Sequence, residues 1–332
     1  MQVYQVDESS QVGMVRREVA RLCRSLGFDE SLTGKATLIA TELGTNLVKH
    51  GGGGEVILNV LHRDEAAGLE LLSLDKGPGI EDPGRALRNG FSTAGSLGGG
   101  LGSVRRLASE FDMYTRTGMG TGVLARLWKG DGAGARDGLC KVGAVNLPLK
   151  GEERCGDTWA VYQTGSRCVV MVVDGLGHGD AAGEVAARAR VCFAANHEED
   201  PVRLLQALHE ALRGTRGAAV LVAETLPGRR EIRYAGVGNV EGRVLEGTQG
   251  QRLVSRNGIV GFQMPRVQEM STRWPPRGML IMHSDGVGGR WDPSDYPGLV
   301  SRHPTLIAGI LYRDHQRVRD DSTVVVVKDR GP

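Results

Sequence analysis

Apolar residues recur at steps of three and four from Val12 to Leu26, at Val12, Val15, Val19, Leu22 and Leu26. That spacing predicts an amphipathic helix. A second helix is predicted from about Ser31 to Lys49, ended by the glycines that begin at Gly51. Two strand-like runs follow, "EVILNVLHR" and "LELLSLD", and then a polar, glycine-rich region to about Gly100. A short helix around "SVRRLASEF" and two strands, "FDMYTR" and "TGVLARLWK", close the first half. The stretch "KGDGAGARDG" has no periodicity and reads as a linker. Beyond it the chain is rich in strands: "KVGAVNL", "TWAVYQT", "RCVVMVVD", "AAVLVAET", "REIRYAGV", "GMLIMHSD" and "TVVVVKD". Helices are expected around Ala181–Ala195, Pro201–Arg213 and Thr305–Arg313. Strands, then helices, then strands point to an α+β layered sandwich in this half. No internal repeat is visible.

The chain has 332 residues, enough for two ordinary domains. The pattern divides it into residues 1–129, a linker at 130–138, and residues 139–332. Hydrophobic residues make up 40% and charged residues 24%, which excludes a disordered chain. The net charge is +2 without a basic block, so nucleic acid is not favoured as a partner. The start, "MQVYQVDESS", is polar, and no apolar run approaches a membrane span, so no membrane partner is expected. Five scattered cysteines without a CxxC read as reduced thiols, and a cytoplasmic location is expected. Glycine, at 50 residues, is the outlier. Its clusters mark backbone that turns with positive φ or lies close to a ligand.

In the first half, "ATELGTNLVKHG" sets Glu42 and Asn46 four residues apart on one helix face, opposite Leu32, Ala36, Ile39, Leu43 and Leu47. Alone, such a pair reads as a solvated surface. In "LDKGPGI", Asp75 ends an apolar strand, and Gly77 and Gly79 make a tight turn. Then "GFSTAGSLGGGLGSVRRL" leads a glycine loop into a helix, whose first N–H groups attract phosphate. "GMGTG" precedes the last strand. Each element is weak alone; their order resembles the GHKL (Bergerat-fold) ATPases, from Val12 to about Trp128. Within that group it is most similar to the switch serine kinases of bacterial partner-switching modules, of the RsbT type, through "NGFSTAGSLGGGLGSVRRLASEFD". The resemblance implies a Bergerat α/β sandwich binding ATP with Mg²⁺. By it, Asn46 would hold Mg²⁺ and Glu42 would act as general base on a serine hydroxyl or a water. Asp75 would bond the adenine amino group in a pocket shaped by Gly77 and Gly79. Gly98, Gly100 and Gly102 would cover the phosphates, with Thr121 near the adenine. Phosphoryl transfer needs those parts in kind: positioning, a metal and an aligned nucleophile. The run Gly51–Gly54 is looser than such a helix end requires.

In the second half, "VVMVVDGLGHGD" runs a buried strand into Asp174 and then glycines around His178. A glycine turn suggests phosphate; a carboxylate at a strand end suggests a metal. "CGDTWAV" adds Asp157 before a strand, "LIMHSDGVGG" adds Asp285 after one, and "RDDSTVVVV" adds Asp320 and Asp321 before the last. Any one of these reads as a turn or cap residue. Together, brought to one edge of a sandwich, they would repel unless divalent cations bind them. Oxygen ligands without a Cys/His cluster favour Mg²⁺ or Mn²⁺ over zinc. The ordered set GD…VVDGLGHG…SDG…DDST resembles the SpoIIE-type branch of the PP2C (PPM) serine/threonine phosphatases, from about Gly138 to Asp329, and is most similar to the RsbX type. The resemblance implies a PP2C-like αββα sandwich with two metal ions. Asp174 would bridge them, Gly175 would lend its carbonyl, and Asp285 and Asp320 would complete the second site. Asp157 would bind a metal or its waters. Asp320 is preferred to Asp321 as ligand. The reaction implied is direct attack of metal-activated hydroxide on phosphoserine or phosphothreonine, without a phosphoenzyme. His178 is open between a general acid and a hydrogen-bonding or packing residue. Trp159, Trp274 and Trp291 read as packing, "RWPPRG" as a strand-to-strand turn, and "LPGRRE" as an exposed hairpin.

The leading function is therefore a bacterial partner-switching regulator: a phosphatase acting on a phosphorylated STAS-domain protein, fused to a serine kinase for the same or a related partner. Tethering two opposing activities raises their effective concentration. Two alternatives stand beside it. The first domain is only a nucleotide-sensing or docking module, or the whole chain is a non-enzymatic partner switch.

Overall fold

After a first strand, β1 (Gln2–Gln5), helix α1 (Ser9–Ser25) buries the predicted stripe of Val12, Val15, Val19 and Leu22, with Cys23 beside it. Helix α2 (Glu30–Asn46) starts on an Asp29 cap that accepts the Leu32 N–H at 2.7 Å, a contact worth about 1 kcal/mol. The helical run does not stop at Asn46. It widens into a π-helical turn over Leu47–Gly51 and ends at Gly52, with φ of 70°. Strands β2 (Glu55–Arg63) and β3 (Ala66–Leu74), a short helix α3 (Pro83–Ala86), helix α4 (Gly100–Leu107), and strands β4 (Glu110–Thr115) and β5 (Thr121–Trp128) follow. The expected helix around "SVRRLASEF" is thus shorter. It ends at Leu107, and Ser109 donates its N–H to the Arg126 carbonyl (2.8 Å), which draws the chain into the sheet.

The five strands form one sheet in the order β1-β2-β3-β5-β4. One face packs Leu58, Leu69, Leu71, Val123 and Ala125 against Val15, Val19, Ile39, Leu43 and Val104 of the helices. The structure, a computed structural model, describes residues 1–63, 66–88, 100–130 and 138–330. Two units are distinguished along the chain, Met1–Arg136 and Asp137–Pro332.

The second unit contains strands β6 (Cys140–Leu147), β7 (Asp157–Gln163) and β8 (Cys168–Gly175), and helices α5 (Asp180–Asn196) and α6 (Pro201–Ala211). Strands β9 (Ala218–Leu226), β10 (Glu231–Val237), β11 (Glu241–Glu246), β12 (Gln249–Leu253), β13 (Met270–Arg273) and β14 (Met279–His283) follow, then helix α7 (Pro304–His315) and strand β15 (Ser322–Asp329). They form two five-stranded antiparallel sheets, β13-β10-β9-β8-β7 and β12-β11-β14-β15-β6. Val170, Val172, Leu221, Leu280, Met282 and Val325 fill the space between the sheets. Val169, Met171, Val173, Val220 and Val222 face α5 and α6 on the other side. Helix α7 lies on the second sheet, so close that a Cβ on Gly143 would stand 2.1 Å from the Thr305 nitrogen. The layers are αββα. A strand buried on both faces has no polar alternation, which is why "VVMVV" and "VVVV" are apolar throughout.

Strands β11, β12 and β13 are additions to the seven the sequence predicts in this half. "QGQRL" and "MSTR" are edge strands with mostly exposed or half-exposed residues, so neither carries an apolar period. Trp274 and Trp291 are buried, "RWPPRG" turns β13 into β14, and "LPGRRE" turns β9 into β10 through an exposed 3₁₀ turn. Among the described residues no helix is long and apolar enough to cross a membrane.

Candidate functional site

In the first unit, α2 turns Ile39, Leu43 and Leu47 into the core and leaves Glu42 and Asn46 half-buried, one helical turn apart. The Asn46 Nδ2 is buried without a hydrogen-bond partner among the described residues. Leaving such a group unpaired costs about 1–3 kcal/mol. Asp75, at the end of β3, has its Oδ1 held by the N–H groups of Gly77 (2.9 Å) and Thr121 (3.1 Å), and its own N–H reaches the Thr121 carbonyl (2.9 Å). Thr121 is buried, and its Oγ1 stands 2.9 Å from the Thr115 Oγ1, which also accepts the Ile80 N–H. The structure therefore brings Asp75, Gly77, Gly79 and Thr121 into one clasped turn.

Glycine is required there by contact. A Cβ on Gly79, whose φ is 72°, would stand 2.1 Å from the Arg116 carbonyl oxygen. One on Gly77 would stand 2.7 Å from the Gly51 oxygen, and one on Gly54 would stand 2.4 Å from the Leu74 oxygen. The run Gly51–Gly54 is thus not loose: it lets the end of α2 pass directly under the Asp75 turn. Gly51, Gly54 and Gly120 belong to this turn, and a Cβ on Gly120 would stand 2.0 Å from the Asp75 carbonyl oxygen; the signals in the sequence are the run Gly51–Gly54 and "GMGTG", whose glycines sequence reading gave no place in the pocket. Gly100 opens α4, and a Cβ on Gly102 would press on the Leu87 and Arg88 carbonyls at 3.0–3.1 Å. Gly98 lies outside the described residues.

In the second unit, Asp157 opens β7 and is the cross-strand partner of Asp174 at the end of β8. Asp285 follows β14 and gives its backbone N–H to the Asp174 Oδ2 at 3.3 Å. Asp320 and Asp285 are within hydrogen-bonding reach through their side chains. So Asp157, Asp174, Asp285 and Asp320 gather at one end of the two sheets. Burial, then the charges of Asp285 and Asp320, push the Asp174 carboxyl up to about 7. Burial and the Asp174 charge push Asp157 well above the carboxylate range, against hydrogen bonds from the Ser284 and Thr323 side chains. Asp285 is raised by burial and by Asp320, with Arg317 and Asn239 opposing.

Asp321 differs in kind. It is buried, and its two oxygens accept the N–H groups of Leu149 (2.6 Å) and Gly156 (2.7 Å). It ties down the loop before β7, while Asp320 is half-exposed beside Asp285. Gly175 donates its N–H to the Gly156 carbonyl at 3.3 Å, and a Cβ on Gly286 would stand 1.7 Å from the Asp321 oxygen. The His178 Nδ1 stands 2.8 Å from the Glu152 Oε1, and the ring is half exposed. Sequence reading missed Asn239, whose Nδ2 donates to the Asp285 Oδ2 at 2.6 Å, and the glycine contacts at Gly156 and Gly286.

Among the described residues no three His, Cys, Asp or Glu side chains form a ready-made metal cage. A site of one or two carboxylates per ion, completed by water, is what Mg²⁺ takes. The donor set fits such ions. The oxygens are hard, the Asp174 charge raises Asp157 as Asp285 and Asp320 raise Asp174, and the Asp157 Oδ2 is buried without a hydrogen-bond partner among the described residues.

Comparison with known proteins agrees with this division. Residues 6–127 match the histidine kinase-like ATPase domain, and residues 164–329 match the stage II sporulation protein E (SpoIIE) family. The chain is similar to the serine/threonine-protein kinase RsbT of Bacillus subtilis strain 168, 34% identical over 34% of this chain and 85% of that protein. It is also similar to the phosphoserine phosphatase RsbX of the same organism, 25% identical over 42% of this chain and 71% of that protein. Among solved structures, the PP2C phosphatase domain of SpoIIE from Bacillus subtilis, with a fragment of its regulatory domain, aligns over 97% of this chain and 95% of its own. The TM-score is 0.51 at 14% identity, a likeness of fold.

Proposed function

We propose, for a chain that belongs to the histidine kinase-like ATPase family through residues 6–127 and to the SpoIIE family through residues 164–329, that it sets the phosphorylation level of a STAS-domain partner from both sides. The second unit is a metal-dependent phosphoserine/phosphothreonine protein phosphatase. The first is an ATP-binding serine kinase for the same or a related partner.

The observation that carries this reading is the convergence of Asp157, Asp174, Asp285 and Asp320, with Asp174 held near pKa 7 by burial and by its neighbours. A group of buried carboxylates at one sheet edge is costly unless cations share it. Asp174, Asp285 and Asp320 would hold two divalent ions, Mn²⁺ or Mg²⁺, with the Gly175 carbonyl, and Asp157 would bind an ion or orient its water. When bound, such ions lower the pKa of coordinated water and offset the charge of a phosphate monoester. Asp321 keeps the loop before β7 in place, and Asn239 holds Asp285.

In the first unit the same reading gives Asn46 the Mg²⁺ of ATP and Glu42 the proton of the attacking serine hydroxyl. Asp75 would accept the adenine amino group, and the glycines on either side would leave room for the ring. The unpaired Asn46 Nδ2 is a donor that a phosphate oxygen could accept, while Oδ1 would be the atom to face the ion. The test is phosphoryl transfer from ATP to a STAS-domain protein, followed by release of that phosphate in Mn²⁺. Loss of transfer in Glu42→Ala and loss of release in Asp174→Asn, each without the other, are the expected outcome. Transfer by Glu42→Ala at the wild-type rate would overturn the kinase assignment.

A further inference from the structure

The four gathered aspartates reach the sheet edge from three β-strand ends and one pre-strand loop, and each is held differently. Asp174 receives a backbone N–H from Asp285, and Asp157 receives side-chain hydrogen bonds from Ser284 and Thr323. Asp285 receives a neutral carboxamide from elsewhere in the chain: the Asn239 Nδ2, at 2.6 Å from Oδ2. Asn239 lies on the turn between β10 and β11, 46 residues away.

That turn is rigidly seated. Gly238, with φ of 96°, donates its N–H to the Arg256 carbonyl at 2.8 Å. A Cβ on Gly238 would stand 2.3 Å from the Ala219 Cβ, and Ala219 is the cross-strand partner of Asp174. The backbone beneath Asn239 therefore rests on the strand that neighbours Asp174, while its side chain reaches Asp285. It connects the two carboxylates through one tight turn. Asn239 is exposed on its other side and borders a cleft of about 300 Å³ with Glu241, Arg252 and Ser255.

We infer that Asn239 is a positioning residue for the divalent ion shared by Asp285, an inference that rests on the phosphatase reading above. Its carboxamide engages Oδ2 of a carboxylate that also lies within reach of Asp320, and so would fix the orientation in which Asp285 meets the ion. A cation bonded there would compete with the metal for Asp285, and an aspartate would add a like charge 2.6 Å from Oδ2. A neutral donor orients the ligand without doing either. Removing such an outer partner of a metal ligand lowers metal affinity about 10–100-fold.

The test uses the full chain as wild type, Asn239→Ala, Asn239→Ser and Asp174→Asn. Mn²⁺ binding is read by the loss of the free-ion EPR signal and by the rise in melting temperature as Mn²⁺ is added to chelator-treated protein. Asn239→Ala is expected to need about 10–100-fold more Mn²⁺ for half-saturation, with the metal-free melting temperature near wild type because the residue is surface-exposed. Asn239→Ser, which keeps a small donor on the same turn, is expected to fall between. At saturating Mn²⁺ the KM for phosphoprotein is expected to stay unchanged. Wild-type half-saturation in Asn239→Ala would overturn the inference and leave the phosphatase reading intact. A wild type as indifferent to Mn²⁺ as Asp174→Asn would overturn both.

Discussion

Asp157 and Asp174 face each other across β7 and β8, two buried carboxyls in register at the same end of one sheet. Burial raises the proton affinity of both; the Asp174 charge adds to it at Asp157, and the charges of Asp285 and Asp320 add to it at Asp174. Folding has placed like charges where water cannot screen them, and that strain is the basis for what the second unit is expected to do with divalent ions.

Relieving that repulsion without a metal is expected to stabilise the protein. At pH 8 in chelator, Asp174→Asn is expected to melt about 2–4 °C above wild type, equivalent to about 1 kcal/mol in a domain of this size. Adding Mn²⁺ raises the wild type and leaves the variant where it was. Differential scanning fluorimetry in EDTA and in Mn²⁺ reads both. A variant that melts lower in EDTA and still gains on Mn²⁺ is the opposite result.

Asp320 and Asp321 are adjacent but carry different duties, which stability and metal binding separate. Asp321→Ala leaves the half-buried N–H of Leu149 and the buried N–H of Gly156 without their acceptor. The expected loss is about 2–4 kcal/mol in a urea titration, since each stranded donor costs about 1–3 kcal/mol. Asp320→Asn, which keeps the Oδ1 that accepts the Asp321 N–H, is expected to unfold within about 0.5 kcal/mol of wild type and to lose its Mn²⁺ response. The reverse pattern would exchange the two roles.

The glycine run beneath Asp75 predicts unequal tolerance. Gly79→Ala sets a Cβ 2.1 Å from the Arg116 carbonyl at a φ of 72°. Fluorescent-nucleotide binding is expected to fall more than tenfold, with destabilisation of more than about 1 kcal/mol. Gly52 also has positive φ but meets open space. Gly52→Ala is expected to cost about 1 kcal/mol, the left-handed backbone penalty, and to bind nucleotide as wild type does.

What could be read from the residues follows from what is local. Two acidic motifs close the runs "VVMVVD" and "LIMHSD", apolar because both strand faces are buried, and the others precede strands, so strand and carboxylate are visible together. The order of motifs made both families recognisable. The edge strands β12 and β13 were not visible because their side chains are mostly exposed and carry no period. The bond from Asn239 to Asp285 spans 46 residues, and neither residue's neighbours mark it. The choice between Asp320 and Asp321 was decided by motif order alone, and the hydrogen bonds of Asp321 add the physical reason that it is engaged elsewhere. At Gly51–Gly54 composition showed flexibility, whereas contact with Leu74 and Asp75 shows close packing.

In the first unit, Asn46→Ala is expected to weaken Mg²⁺-ATP binding while sparing ATP binding without metal. Glu42→Ala is expected to keep both and lose transfer to serine. Isothermal titration with and without Mg²⁺ distinguishes the two variants. Equal loss in both conditions for Asn46→Ala would assign that side chain to packing.

The most direct test of the account is phosphate release from a phosphoserine STAS-domain protein in Mn²⁺ buffer, with Asp174→Asn as control. The wild type is expected to release phosphate, chelator to stop it, and Asp174→Asn to release none. Release that persists in chelator, or in Asp174→Asn, would contradict a metal-dependent phosphatase built on the gathered aspartates.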